Sequence, residues 1–468
     1  MTDCAGIMPT RRGFKPTPAP QQLYVALPGP VLGEAFLAEY LDGTTRLFAG
    51  TATQLYEGRN GTWTPVGSGA YGGGKWRFAM YGNDCLATNG VDAVQVATTS
   101  GNFSALAGTP PVAPIIETLY GYALLFESNN WHTSGLGDDT KWTNSVADQS
   151  ASGPLIDTPG SITAARKLGR SIIVYKNNGI YRGDFVGVPL IWDWSLITPL
   201  PGAAGQGSVV DTGMMHALIG NDDFYLCDGT SVTTIQGIGG GPNPIKEWFF
   251  ANLDGTKAAN IEGVYDETNE TVRWYFPSIN AVPAGSLDMV IMWNLRTGKW
   301  TKDTVSIEAV IRPFLIAYTS WTYNQFDTTY GTYNGIPNLS YDAQLFFGSN
   351  GQYAGYIDNT HTAVSLSGTP QNSRIVTGDY GDDQHYWLID GIRPIMATYP
   401  SLPTSPASVT EFWREALGTE LNQADTEQLG KSKFPIRQSA AFHRWQFDFN
   451  GEYEIIGIEP HLVQDGEI

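Results

Sequence analysis

The feature that most constrains this sequence is a unit recurring roughly every 40–50 residues. Each copy reads as an alternating apolar strand, a polar turn with Gly or Asp, and then an aromatic or β-branched residue beside Thr. The copies occupy residues 55–64 (Trp63), 94–103 (Phe103), 137–143 (Trp142), 180–194 (Trp192 and Trp194), 224–233 (Val232) and 292–301 (Trp300). A seventh is read at 344–357. That period is the length of a four-stranded propeller blade, so the repeats predict an all-β chain built on a β-propeller of about seven blades, six to eight being the range. A blade has apolar faces it cannot cover alone, so blades stack around an axis and leave only short edges. On this reading Trp63, Phe103, Trp142 and Trp300 fill the wedges between neighbouring blades.

Composition agrees. Charged residues make up only 16% of the 468 positions, whereas Gly numbers 54 and aromatics reach 12%. That balance suits short strands with glycine-bearing turns better than long charged helices. The best helical segment is 244–253.

The repeats divide the chain into three parts. Residues 1–34 hold Pro9, Pro16, Pro18, Pro20, Pro28 and Pro30, which describes an extended arm. Arg11, Arg12 and Lys15 make the arm locally basic, and Ile7, Phe14, Leu23 and Tyr24 give it apolar anchors. It is either a loose tail or an arm that packs on a neighbour; in the second case deleting 1–22 weakens assembly and leaves the propeller folded. Residues 35–362 form the propeller. A polar Ser/Thr/Gly stretch at 359–373 marks a boundary, and 363–468, with longer strands, reads as a C-terminal β-sandwich-like domain. Within it, 424–433 is polar and reads as a loop.

The chemistry of the chain is sparse. Lys and Arg total 27 against 46 Asp and Glu, a formal net charge of −19, a poor balance for gripping nucleic-acid phosphates. Cys4, Cys85 and Cys227 have no metal-ligand or disulfide spacing and read as small buried hydrophobes. His132, His216, His361, His385, His443 and His461 are isolated from one another. The Gly-rich stretches 67–74 and 237–241 lack the Lys-Ser/Thr of a phosphate loop. Adjacent acids at Asp138/Asp139, Asp222/Asp223 and Asp382/Asp383 read as turn residues. The expectation is no catalytic site, no cofactor and no metal. The first 22 residues lack the apolar core of a signal peptide and no apolar run is long enough to span a membrane. A soluble protein without membrane insertion is expected.

Several segments in order resemble the tail hub, or nozzle-type, proteins of short-tailed bacteriophages, a family of packaged-DNA stabilisation and head-closure factors. They are 9–14 (Arg11, Arg12, Phe14), 46–56 (Arg46, Tyr56), 76–82 (Trp76, Tyr81) with 89–92, and 179–182 (Tyr181, Arg182) with 186–189. The series continues with 208–210 and 221–229 (Phe224, Tyr225), 265–278 (Trp274, Phe276) and 293–300 (Trp293, Trp300). Residues 303–370 depart from the pattern, while His443, Trp445 and Phe447 with 455–460 resemble the family's terminal strand pair. The resemblance implies a homohexameric ring without enzymatic activity, located in the virion tail and assembled in the host cytoplasm. It also implies an adaptor or portal-proximal ring on one side and a needle, plug, fibre or spike on the other, with double-stranded DNA passing through unheld. Arg11, Arg12 and Phe14 are the partner-contact residues this reading selects. An acidic lumen repels phosphates, which fits the charge. The competing reading is a carbohydrate-binding propeller or adhesin with exposed Trp and Tyr stacking on sugars. A propeller hydrolase would need carboxylates converging at the mouth of the central channel.

Overall fold

A computed structural model describes residues 2–267, 269–313, 355–398 and 407–467. Six antiparallel sets of four strands follow one another along the chain as blades, four as separate sheets and the first and sixth within one larger sheet. Blade 1 holds the strands Ala35–Glu39, Thr45–Gly50, Leu55–Arg59 and Thr62–Pro65; blade 2 runs from Arg77–Tyr81 to Ser104–Ala105; blade 3 from Ile115–Leu119 to Ala151–Pro154. Blade 4 runs from Ile162–Leu168 to Ile191–Thr198, blade 5 from Val209–Asp211 to Val232–Thr234, and blade 6 from Glu262–Asp266 to Trp300–Pro313. The last residues of Trp300–Pro313 also pair in parallel with the start of blade 1, Ile311 opposite Ala35.

Of the seventh expected unit, 344–354 lies outside the described residues. The described residues still form a seventh blade. The second half of Trp300–Pro313 pairs with Tyr356–Asp358, that strand with Thr362–Pro370, and that in turn with Pro18–Ala26 of the arm. One apolar cluster packs it toward blade 6 and another toward blade 1.

Local sequence explains the blades. In blade 3 the first hairpin turns on Tyr120 (φ 54°) and Gly121 (φ 75°), the two positive-φ positions that a tight hairpin demands and that glycine meets without strain. The strand that follows, Tyr122–Glu127, is apolar at successive positions because both of its faces are covered. Ala123 and Leu125 pack toward blade 2, and Tyr122, Leu124 and Phe126 toward blade 4.

One apolar cluster fills each gap between neighbouring blades, and the residue beginning or preceding a blade's outer strand supplies a wedge. Phe103 meets Phe48 of blade 1 at 4.8 Å. Trp142 joins the blade 2–3 cluster, Trp192 the 3–4 cluster, and Val232 packs against the 4–5 cluster. Trp300 lies 5.0 Å from Phe224 of blade 5. Trp63 does the same at the gap between the seventh blade and blade 1. It packs on Tyr24 of the N-terminal arm (5.1 Å) and its indole N–H donates to the Val25 carbonyl (2.9 Å). The arm's strand Pro18–Ala26, paired with Thr362–Pro370, covers blade 1 there.

The C-terminal region is a sandwich of two sheets. One has the order Asp3–Ala5, Ser373–Val376, Phe442–Phe449, Ser408–Arg414, Asn422–Gln428, with Tyr380–Gly381 also pairing Phe442–Phe449. The other has the order Ile7–Pro9, Phe14–Pro16, Glu454–Glu467, His385–Thr398, Gln438–Ala440. Trp445, Phe447 and Phe449, at the period-two spacing of one strand face, meet Ile389, Ile392 and Ile455 across the layer, with Cys4 and Ile7 of the arm between them. The arm therefore contributes strands to both sheets of its own chain. The first half of the stretch expected as a loop belongs to the strand Asn422–Gln428, an exposed edge held by pairing with Ser408–Arg414.

Candidate functional site

The first strand of every blade lines the propeller axis. Together they enclose a cavity of about 490 Å³ whose walls include Phe36, Met80, Thr118, Lys167, Thr212 and Tyr265. Arg77 lies beside it, with only 5% of its side chain exposed, 3.4 Å from Glu34 and 2.5 Å from Glu262. The other Glu34 oxygen accepts the Phe78 backbone N–H at 3.1 Å. Burial opposes the charge on Arg77, but the carboxylates of Glu262 and Glu34 outweigh it and hold the guanidinium protonated. Glu117, pushed up by burial, receives Arg166 at 3.3 Å. Carboxylates that converge on a propeller axis are the expected equipment of a hydrolase. Here Glu34, Glu262 and Glu117 are matched to guanidinium groups contributed by other blades and tie the blades across the axis, whereas Asp211, which accepts the Gly213 amide, and Glu267 also stand in the cavity wall.

The other candidates singled out by sequence are engaged in turns and cores. Asp138 accepts from the Thr140 amide (2.9 Å) and hydroxyl (2.6 Å). Asp222 accepts from Tyr225 (2.7 Å) and Asp223 from Lys246 (2.6 Å). Asp382 caps its turn through the amides of Gln384 and His385. His216 is fully buried between the Tyr175 hydroxyl (2.8 Å) and the Lys167 carbonyl (3.0 Å). Cys4, Cys85 and Cys227 are buried and free. Among the described residues no three His, Cys, Asp or Glu side chains gather as a metal site.

Arg11, Arg12 and Phe14 do lie together, at the hairpin between Ile7–Pro9 and Phe14–Pro16, against blade 6 of the same chain. Glu270 is gripped by Arg11 (2.7 Å) and Arg296 (2.8 Å), whose hydrogen bonds hold its carboxyl down to about 2. Lys299 donates to the Arg12 carbonyl (2.7 Å) and stands 5.4 Å from the centre of the Phe14 ring. Phe14 then opens onto a cavity of about 290 Å³ with Ile245, Trp248, Trp300, Lys299 and Lys302 in its wall. Lys302 sits 4.3 Å over the Trp248 ring and 2.9 Å from Asp3. Its cation is therefore shared between a carboxylate and an aromatic face.

Sequence reasoning selected Phe14 and missed Trp248 and Lys302. Trp248 falls on the short helix Lys246–Asn252, within the one helical segment legible in the chain. What joins it to Phe14 is an arm-to-blade contact across more than two hundred residues, which no local pattern signals.

No family model matches the chain, and no curated protein matches it. Among solved structures it is similar to streptogramin B lyase, at 10% identity and a TM-score of 0.43, over 74% of this chain and 97% of that one. It is similar also to the Pan2 WD40 domain of Neurospora crassa, at 11% identity and a TM-score of 0.41, over 76% and 96%. A third likeness, to the surface component PorZ of Porphyromonas gingivalis, has 10% identity and a TM-score of 0.35 over 61% of this chain, and spans about a third (35%) of PorZ. These likenesses differ in function from one another, and the propeller assignment rests on the succession of four-stranded sheets and their closure.

Proposed function

We propose that this chain is a structural subunit of a phage tail hub, forming a homohexameric ring that lets DNA pass while joining an adaptor above to a tail-tip protein below. The ordered series of segments resembling tail hub proteins, from Arg11 to Trp300, carries the reading. The site geometry supports it in one respect: Glu34, Glu262 and Glu117 on the propeller axis are tied to Arg77 and Arg166. In such a ring the DNA path is the lumen between subunits, and the axis of each propeller is a small cavity beside the Arg77–Glu262 tie. A formal charge of −19 per chain places on the order of −100 on six copies, and carboxylates facing a lumen would keep DNA from adhering.

The test is native mass spectrometry of the purified chain. The expected species is a closed oligomer, six copies of 50.9 kDa, that does not retain double-stranded DNA at low salt. A chain that stays monomeric throughout its soluble concentration range and binds glycans would overturn the proposal in favour of an adhesin.

A further inference from the structure

A ring needs two surfaces on each copy that fit one another, and two such surfaces are present; the inference that follows rests on the ring reading. The first is a ribbon on blade 4. Pairing between its second and third strands ends at Ser171 opposite Asp184, yet the third and fourth strands continue as a two-stranded extension, with Phe185 opposite Trp192 and Gly187 opposite Ile191. Residues 185–192 carry no charged side chain. Val186, Val188 and Leu190 are 51%, 53% and 66% exposed. The root of the ribbon is stiffened by Phe185, which packs on Tyr120 (5.8 Å), Tyr122 (5.6 Å) and Trp192 (6.0 Å). Clustered apolar exposure of this kind marks a contact surface.

The second surface is the cavity between the arm and blade 6, with Phe14, Ile245, Trp248 and Trp300 in its wall and Ile238, 72% exposed, beside them. At about 290 Å³ it holds the equivalent of roughly ten waters at about 30 Å³ each, room for a pair of aliphatic side chains. Charge separates the two surfaces further. Asp184 and Asp193 flank the ribbon, Asp184 sharing Arg182 at 2.8 Å. Lys299 and Lys302 flank the cavity with exposed Arg12 nearby, set against Asp3, the one acid among the described residues of its wall, which pairs with Lys302 at 2.9 Å. Lys299 donates to a neutral carbonyl, and the acid acting on it, Glu454, does so through the field alone.

We propose that the 185–190 ribbon of one copy seats in the Phe14–Trp248 cavity of the next, its acidic flanks facing the cavity's lysines. Because the two surfaces differ, the contact is head-to-tail and can propagate around a closed ring. Val188 and Leu190 supply the apolar anchors, and a fully buried anchor of this type accounts for roughly tenfold or more in affinity.

The experiment mixes two single-cysteine variants, Val188→Cys and Ile238→Cys, and treats them with a short bismaleimide; the native cysteines are buried, so the new thiols are the accessible ones. Oligomeric state is followed in parallel by native mass spectrometry, and Leu190→Asp serves as a third variant whose fold is checked by circular dichroism. The expected result is a cross-linked dimer containing one copy of each variant, in a ring that Leu190→Asp disrupts at least about tenfold. A ring with no such cross-link, or one that Leu190→Asp leaves intact, overturns this contact and leaves the ring reading standing. The cross-link in a species that never closes into a ring supports the contact and overturns the ring. Neither cross-link nor ring overturns both.

Discussion

The propeller and the C-terminal sandwich bury similar layers of apolar side chains but obtain them from opposite kinds of connection. In blades 2 to 5 every strand pairs with one adjacent in the chain, as with Ile115–Leu119 and Tyr122–Glu127. In the sandwich, Cys4 lies opposite Ile375 and Phe14 opposite Ile455, and the Thr10 hydroxyl donates to Glu454, 444 positions away. The blades are thus specified locally, whereas the sandwich is complete only when both ends of the chain meet. Non-local pairing carries the larger loop-closure cost and forms later.

The largest expected effect comes from breaking that meeting. Deleting residues 2–16 removes two strands from one sheet and one from the other, and takes Cys4 and Ile7 out of the sandwich core. Residues 363–467 should lose hydrogen-exchange protection and become protease-sensitive while blades 2 to 5 stay protected. Equal loss in both regions would show that the two fold as one unit. This goes beyond the expectation that the arm serves assembly alone.

Next in size is the tie across the propeller axis. Arg77→Met leaves Glu34 and Glu262 without their cation in a buried site, and breaking such a pair costs about 3–5 kcal/mol. Urea denaturation should show that loss in the propeller's transition, with the sandwich's protection unchanged. A variant as stable as the parent would mean that the two glutamates find protons or water at little cost.

A smaller effect is pH-dependent and also belongs to the propeller. Burial lowers His216 to about 4, with Asp211 opposing, against an unfolded value of about 6.5. The ring is neutral, its Nε2 donating to the Lys167 carbonyl and its Nδ1 accepting from Tyr175. A depressed pKa contributes stability that is complete above about 6.5 and lost as pH falls toward 4, because the unfolded chain takes up the proton first. Denaturation midpoints should drop through that window, and less steeply in His216→Gln. An identical slope in the variant would assign the acid sensitivity to other groups.

The smallest effect is expected at the arm's ionic grip. Arg11 is 65% exposed along its side chain, and surface pairs of this kind contribute little. Arg11→Ala should leave the thermal midpoint nearly unchanged while raising exchange at the amide of Gly13. A large drop in the midpoint would make the grip a main support of the arm.

The same contrast governs what could be read from sequence. Blades were legible because the signal for each lies within one repeat: a turn such as Tyr120-Gly121, alternation, and a wedge aromatic such as Trp142. Trp63 obeyed the repeat as well, but its partner Tyr24 was illegible, since the seventh blade takes its outer strand from the distant N-terminal arm. The edge strand Asn422–Gln428 was illegible because it is polar on both faces and is held mainly by backbone pairing, with one Thr410–Thr426 hydroxyl contact. Of the candidate contact surface, Phe14 was found through the arm's basic and apolar pattern. Trp248, Lys302 and the ribbon at Val188 become a site only through the positions of blades 4 and 6.

The most direct test of the hub assignment is a cryo-electron-microscopy reconstruction of an assembled short-tailed phage particle carrying this chain. The account predicts six copies in a ring at the tail, DNA in the lumen between them, and no DNA through the axis of any propeller, where Arg77, Glu34 and Glu262 meet. A particle in which the chain is absent from the tail, or in which DNA threads the propeller axis itself, would contradict it.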